Sequence, residues 1–167
     1  MTSANDLRTL FDYSSWANTK LFDAISRLTP DQFTQPVAGS YGSIRNTLVH
    51  MLSAESGWLD RCGGPTRGPA LAPEDYPTLP QLLTRWQQVE ASLRHFLAKL
   101  TDDDLNRTIE FSLGSGPKHA MRLGDIMHHA AIHGVHHRGQ VALLLRALGQ
   151  PPGNFDILFY YGFNQTK

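Results

Sequence analysis

Apolar residues recur at steps of three and four along four separate stretches of this 167-residue chain, and that period commits it to long amphipathic helices. The first stretch runs from Asn5 to Leu28, with Leu7, Leu10, Phe11, Leu21, Phe22, Ile25 and Leu28 on one side, and Pro30 ends it. The second runs from Ser43, a residue suited to an N-cap, to Cys62, where Gly63 and Gly64 supply a stop. The third spans Leu79 to Leu100 and the fourth Leu123 to Leu148, the latter closed by Gly149 and Pro151-Pro152. Four such helices in a chain of this length imply a four-helix bundle with one core.

Two connections lack the helical period. Residues 63–77 hold four prolines and three glycines and read as a long irregular loop, a kind of segment often used for function. Between Asn106 and Arg122, Thr108, Ile109, Phe111 and Leu113 suit a strand and "GSGP" suits a turn, so a small β-hairpin is expected before the last helix.

Composition excludes several classes of function. Lysine plus arginine and aspartate plus glutamate both number 15, so there is no broad basic surface for nucleic acid or an anionic membrane. One cysteine, Cys62, permits neither an intrachain disulfide nor a cysteine-paired zinc finger. The start lacks the basic and apolar regions of a secretory signal, and no run reaches the roughly 18 apolar residues of a membrane span. The expectation is a soluble, cytoplasmic protein.

Five of the eight histidines fall within "HHAAIHGVHHRGQ", His128 to Gln140. At about 100° per residue, with Ile126 at zero, His133 lies near 340° and His137 near 20°, within the apolar stripe of Ala130, Val141, Leu144 and Leu148. On the same count His129 and His136 sit at the edge of the stripe and His128 faces water. Imidazoles four apart on a core-facing stripe either find polar partners or share a divalent cation, since a helical i, i+4 pair of neutral imidazoles can chelate one. A third ligand has to come from another helix. The second offers His50, which is otherwise a boundary residue; on its side lie Ser43, Asn46, Thr47, Ala54 and Gly57, small or polar residues that admit a close neighbour. His95 and His119 read as surface or hairpin residues. Glu55 falls inside the apolar stripe of the second helix, where it pairs with Arg138, orients a ligating histidine, or sits partly exposed. Cys62 reads as a small buried apolar residue, about three turns beyond His50.

The spacing also rules chemistry out. Gly134 stands where a zincin has the glutamate of HExxH. The Glu-x-x-His pairs of a ferritin-like diiron site are missing; the nearest is Asp125-x-x-His128. "GSGPKH", Gly114 to His119, lacks the spacing of a phosphate loop.

Taken together, "YSSWANTKLF" (Tyr13 to Phe22), "SIRNTLVHMLSAE" (Ser43 to Glu55), "HAAIHGVHHRGQ" (His129 to Gln140) and "FDILFYY" (Phe155 to Tyr161) resemble DinB-like proteins, a family related to YfiT-like and mycothiol- or bacillithiol-dependent metalloenzymes. The resemblance spans nearly the whole chain. It implies a single all-α domain over residues 1–167, a four-helix bundle with an up-down-down-up arrangement. It implies one divalent metal, nickel or zinc, held by His50, His133 and His137, with His129 as a further ligand or supporting group. Gln140 stands where some relatives carry an acidic residue. The resemblance also implies homodimers and a small-molecule substrate, with the metal activating a low-molecular-weight thiol for transfer or isomerisation. It does not imply DNA binding. A metal or small-ligand binding module without catalysis, or a stress-induced interaction protein, are the alternatives.

Overall fold

The computed structural model of the protein describes residues 2–63 and 70–162. The long loop expected over residues 63–77 therefore lies partly outside the described residues; within them, Pro73–Asp75 forms a single 3₁₀ turn.

The main helices are α1 (Ala4–Ile25), α3 (Ile44–Arg61), α4 (Leu79–Lys99) and α5 (Leu123–Ala147). Two short helices, α2 (Pro30–Thr34) and α6 (Ile157–Tyr160), accompany them, as does the expected hairpin of β1 (Thr108–Ser112) and β2 (Lys118–Arg122). The strands pair antiparallel, Thr108 opposite Arg122 through Ser112 opposite Lys118.

Local chemistry sets the boundaries. Ser3 and Asp6 form a capping box on α1, and Ser43 Oγ accepts the Asn46 amide at 3.0 Å to open α3. Gly63, at φ +94°, takes the left-handed turn that ends α3. Helix α1 stops at Ile25, three residues short of the expected Leu28, and α2 then begins at Pro30 with its own capping box from Thr29 and Gln32.

Cross-helix contacts give the directions. Asn18 and Arg27 of the first helical segment reach Arg138 and Gln150, so α1 and α5 run parallel. Arg8 reaches the Leu100 carbonyl, Asp12 pairs with Arg94, and Phe22 packs on Trp86, so α1 and α4 are antiparallel. His50 and Trp58 of α3 meet His133 and His129 of α5, also antiparallel. The bundle is thus up-down-down-up, with α3 parallel to α4. Helices α3 and α5 share its largest helix–helix interface.

The buried apolar residues form two lobes. One gathers Leu21, Ile25, Leu48, Leu52, Trp86 and Leu145; the other gathers Leu7, Phe11, Leu59, Leu97, Leu123 and Met127. Each fully buried leucine contributes about 2 kcal/mol by leaving water. Near the lobes' junction lies a polar group: Ser14 and Asn18 from α1 and Arg138 from α5, all buried, with Glu55 of α3 half-buried nearby.

The structure keeps most of the stripe expected for α5, with Ile126, Ala130, His137 and Val141 all buried, but widens the buried face beyond it. The buried face also takes in Met127, Ala131, Arg138, Ala142 and Leu145, whereas Leu144 and Leu148 are only half-buried. His137 is therefore buried at the margin of this face, and His133, half-buried, lies just beyond it. The stripe read too narrow because Ala131, Arg138 and Ala142, which link it to Met127 and Leu145, carry little hydropathy signal.

Candidate metal centre

The two histidines expected as an i, i+4 pair do converge, and the expected third joins them. His133 Nε2 lies 3.1 Å from His137 Nε2 and 3.2 Å from His50 Nε2. Among the described residues these three make the one group of at least three His, Cys, Asp or Glu side chains able to hold a metal ion, their donor atoms all within 4.8 Å of one another. Thr47 and Gly57, the small residues flanking His50, are buried against the neighbouring helices, as the close approach requires.

The donor set fits a divalent cation. Nitrogens about 2.0–2.1 Å from a tetrahedral zinc stand about 3.3 Å from one another, close to the spacing found here. Burial, reinforced by the neighbouring imidazoles, pushes the pKa of His133 down to about 4. Burial likewise lowers His50, with His137 adding to the effect, and lowers His137 despite a counteracting hydrogen bond that its ring donates to Gln140. Neutral rings offer lone pairs, so the three are ready to ligate at neutral pH.

Gln140 fixes one of these rings. Its Oε1 lies 2.7 Å from His137 Nδ1 and 2.9 Å from Ser40 Oγ. An amide oxygen only accepts, so Nδ1 of His137 carries the proton and Nε2 presents its lone pair to the cluster. Ser40 Oγ is in turn 3.0 Å from Thr47 Oγ1, and the Gln140 amide nitrogen donates to His136 Nε2 at 3.1 Å.

Ser40 and Tyr41 belong to the loop before α3, which sequence reasoning passed over. Gly39, Ser40 and Gly42 all have positive φ, at 85°, 50° and 83°. Ser40 is the one non-glycine residue in that region among the described residues, a conformation that stores strain. The turn is closed by Gly42 N to Gly39 O and by Val37 N to Gly42 O. It lays the Tyr41 ring on His50, centroids 3.8 Å apart and planes at 16°, with the hydroxyl 2.9 Å from His50 Nε2. The "AGSYG" run of small residues around a tyrosine was the available signal, yet nothing in its spacing pointed at α5.

The remaining candidates fall elsewhere. His129 is exposed and sets its ring against Trp58, 5.3 Å away and 5.8 Å from the His133 ring, so it adjoins the cluster without joining it. His128, His95 and His119 are exposed, as expected. Glu55 interacts with Arg138, one of the roles anticipated for it; burial raises its pKa to about 7, Arg138 opposing and Glu90 adding to the rise. Cys62 is buried, and burial lifts its thiol to about 11, which removes it as a nucleophile at neutral pH.

Comparison with known proteins agrees with this architecture. The chain is 23% identical over 163 residues to Protein DinB of Bacillus subtilis, covering 95% of each. Its fold is similar to the crystal structure of a DinB-like protein from Bacillus cereus, at a TM-score of 0.73 and 20% identity, covering 91% of this chain and 97% of that one. It is also similar to a conserved protein from Enterococcus faecalis, at a TM-score of 0.60 and 12% identity, covering 83% and 94%. The family model described as the DinB family matches residues 1–167, and the chain belongs to that family.

Proposed function

We propose that this protein binds one divalent cation, nickel or zinc, through His50, His133 and His137, and uses it as a metal-dependent enzyme acting on a low-molecular-weight thiol and a small-molecule partner, in the manner of a thiol S-transferase. The carrying observation is the convergence of three Nε2 atoms from two helices. Three neutral ligands leave the cation its full charge and an open position, the layout of a catalytic rather than a structural site. A cation so held supplies Lewis acidity, lowering the pKa of a bound thiol or water. The chain's own contribution is to hold the three rings, to keep His137 in one tautomer through Gln140, and to exclude solvent on the α3–α5 side.

A second reading is a metal or small-ligand binding module without catalysis. The neutral Gln140 favours it, since an amide beside the ligands cannot exchange protons as a carboxylate does. Thiol-transfer assays with several cellular thiols separate the two readings.

The proposal extends to one domain over residues 1–167, working in the cytoplasm as a homodimer. No described helix is long and apolar enough to cross a membrane. The exposed Ile132, Val135 and Leu143 lie on one outer side of α5 and offer an apolar face to a second copy. A sedimentation mass of a single chain would remove the dimer.

The decisive test is elemental analysis of untagged protein. One nickel or zinc per chain is expected, and His133→Ala should lose it while keeping its helical circular dichroism. Full metal content in that variant would overturn the ligand assignment.

A further inference from the structure

We infer that the Tyr41 hydroxyl is the hydrogen-bond donor to whatever ligand takes the open position on the cation; the inference rests on the three-histidine reading above. Tyr41 is about half exposed, so burial of its ring is not what holds it in place. It is held instead by contacts that all lead to the cluster. Its ring stacks on His50, and its hydroxyl lies 2.9 Å from His50 Nε2. Its carbonyl accepts the Asn46 side-chain amide at 3.1 Å, which ties it to the first turn of α3. The adjacent Ser40, in its strained conformation, hydrogen-bonds Gln140, the residue that holds His137. One short loop thus grips a candidate ligand on α3 directly and one on α5 through an amide.

The chemistry of the hydroxyl follows from what its partner has to do. His50 Nε2 is the atom that gives its lone pair to a cation. Once it does so, it no longer accepts from Tyr41, and the O–H, pinned beside the cluster, needs another acceptor. The acceptor at hand is the donor atom that an exogenous ligand brings to the metal: the sulfur of a thiolate, the oxygen of hydroxide, or the nitrogen of a small anion. A hydrogen bond to an anionic acceptor strengthens binding of that anion selectively. The positive φ values at Gly39, Ser40 and Gly42 are then the backbone conformation that aims this hydroxyl.

The test uses the cobalt(II)-substituted full-length protein and azide as the anionic probe, followed by the visible absorption of the metal. Tyr41→Phe retains the ring and lacks only the hydroxyl. It should bind one cobalt per chain as the wild type does, with an azide dissociation constant weaker by about tenfold, as loss of one charge-assisted hydrogen bond implies. Tyr41→Ala should weaken azide at least as much. Unchanged azide binding in Tyr41→Phe would overturn the inference and reduce Tyr41 to a stacking partner. Loss of cobalt from that variant would overturn it differently, by making the hydroxyl a ligand itself. A wild-type protein that takes up no cobalt sinks the three-histidine reading and this inference with it.

Discussion

His137 and Arg138 are neighbours on α5, yet they serve polar clusters of opposite kinds. Around Arg138 the cation is part of the chain: its guanidinium donates to Asn18 Oδ1 at 3.2 Å and Ser14 Oγ at 3.3 Å, lies over the Tyr13 ring, and is near the Glu55 carboxyl. Around His137 three imidazole nitrogens face one another, and no described residue brings a cation to them. The first cluster carries its own cation once the protein folds, although the buried Nε of Arg138 is left without a hydrogen-bond partner. The second could hold a cation supplied from outside. The first is buried at the junction of the two apolar lobes, whereas the second lies at the margin of the core, with His137 buried and His50 and His133 half-buried. A polar group inside a bundle is a structural part or a binding site according to whether its counter-charge comes with the sequence.

Removing the built-in cation should have the largest effect. Arg138→Ala leaves a cavity and takes the counter-charge from Glu55, and should cost about 3 kcal/mol in urea unfolding. Its metal content should stay at the wild-type level. A loss under about 1 kcal/mol would show that the guanidinium is not integral to the core.

The next effect concerns pH, because the two clusters titrate in opposite senses. The raised pKa of Glu55, about 7 against 4.5, gives stability that is full below pH 4.5 and is lost as pH rises through 7. The lowered pKa of His133, about 4 against 6.5, gives stability that is full above pH 6.5 and is lost as pH falls through 4. Each contribution is on the order of 2 kcal/mol after allowing for partial exposure. In the metal-free protein they offset one another between pH 4 and 7. Glu55→Gln should therefore lose stability on acidification over this range, and His133→Ala should gain it. Parallel profiles for the two variants would contradict the assignment.

The smallest of these effects tests what lies behind the ligands. Gln140→Leu leaves all three imidazoles but frees the His137 tautomer, and should weaken zinc binding by about tenfold in a chelator competition. Equal affinity would mean that Gln140 does not position His137.

The helices and the hairpin were legible because each rests on a local signal: the three-and-four spacing, Ser43 and Gly63 at the ends of α3, the strand run from Thr108 followed by "GSGP". Helix α2 was not read, although Thr29, Pro30 and Gln32 spell its start, because five residues hold too few periods to register. His133 and His137 were legible through their spacing on one helix; His50 was offered by its small neighbours and singled out only by the family resemblance. Arg138 was anticipated only as a partner for Glu55; its place in the core was hidden, since a charged residue there contradicts hydropathy until its acceptors on α1 are known. Tyr41 and Ser40 were hidden for another reason: a loop has no period, and what it touches is decided by the tertiary fold.

The parallel course of α3 and α4 settles a question of length. A chain that leaves the foot of α3 and enters the head of α4 has to travel back along a helix of 18 residues, about 27 Å at 1.5 Å per residue. A fully extended strand needs about eight residues for that distance, and a route around side chains needs more. The interval in sequence between Arg61 and Leu79 is long enough for that return, and the order of the helices by itself calls for a long connection there. The antiparallel step from α4 to α5 calls for no such journey, so the hairpin inserted there is the true surplus of the architecture.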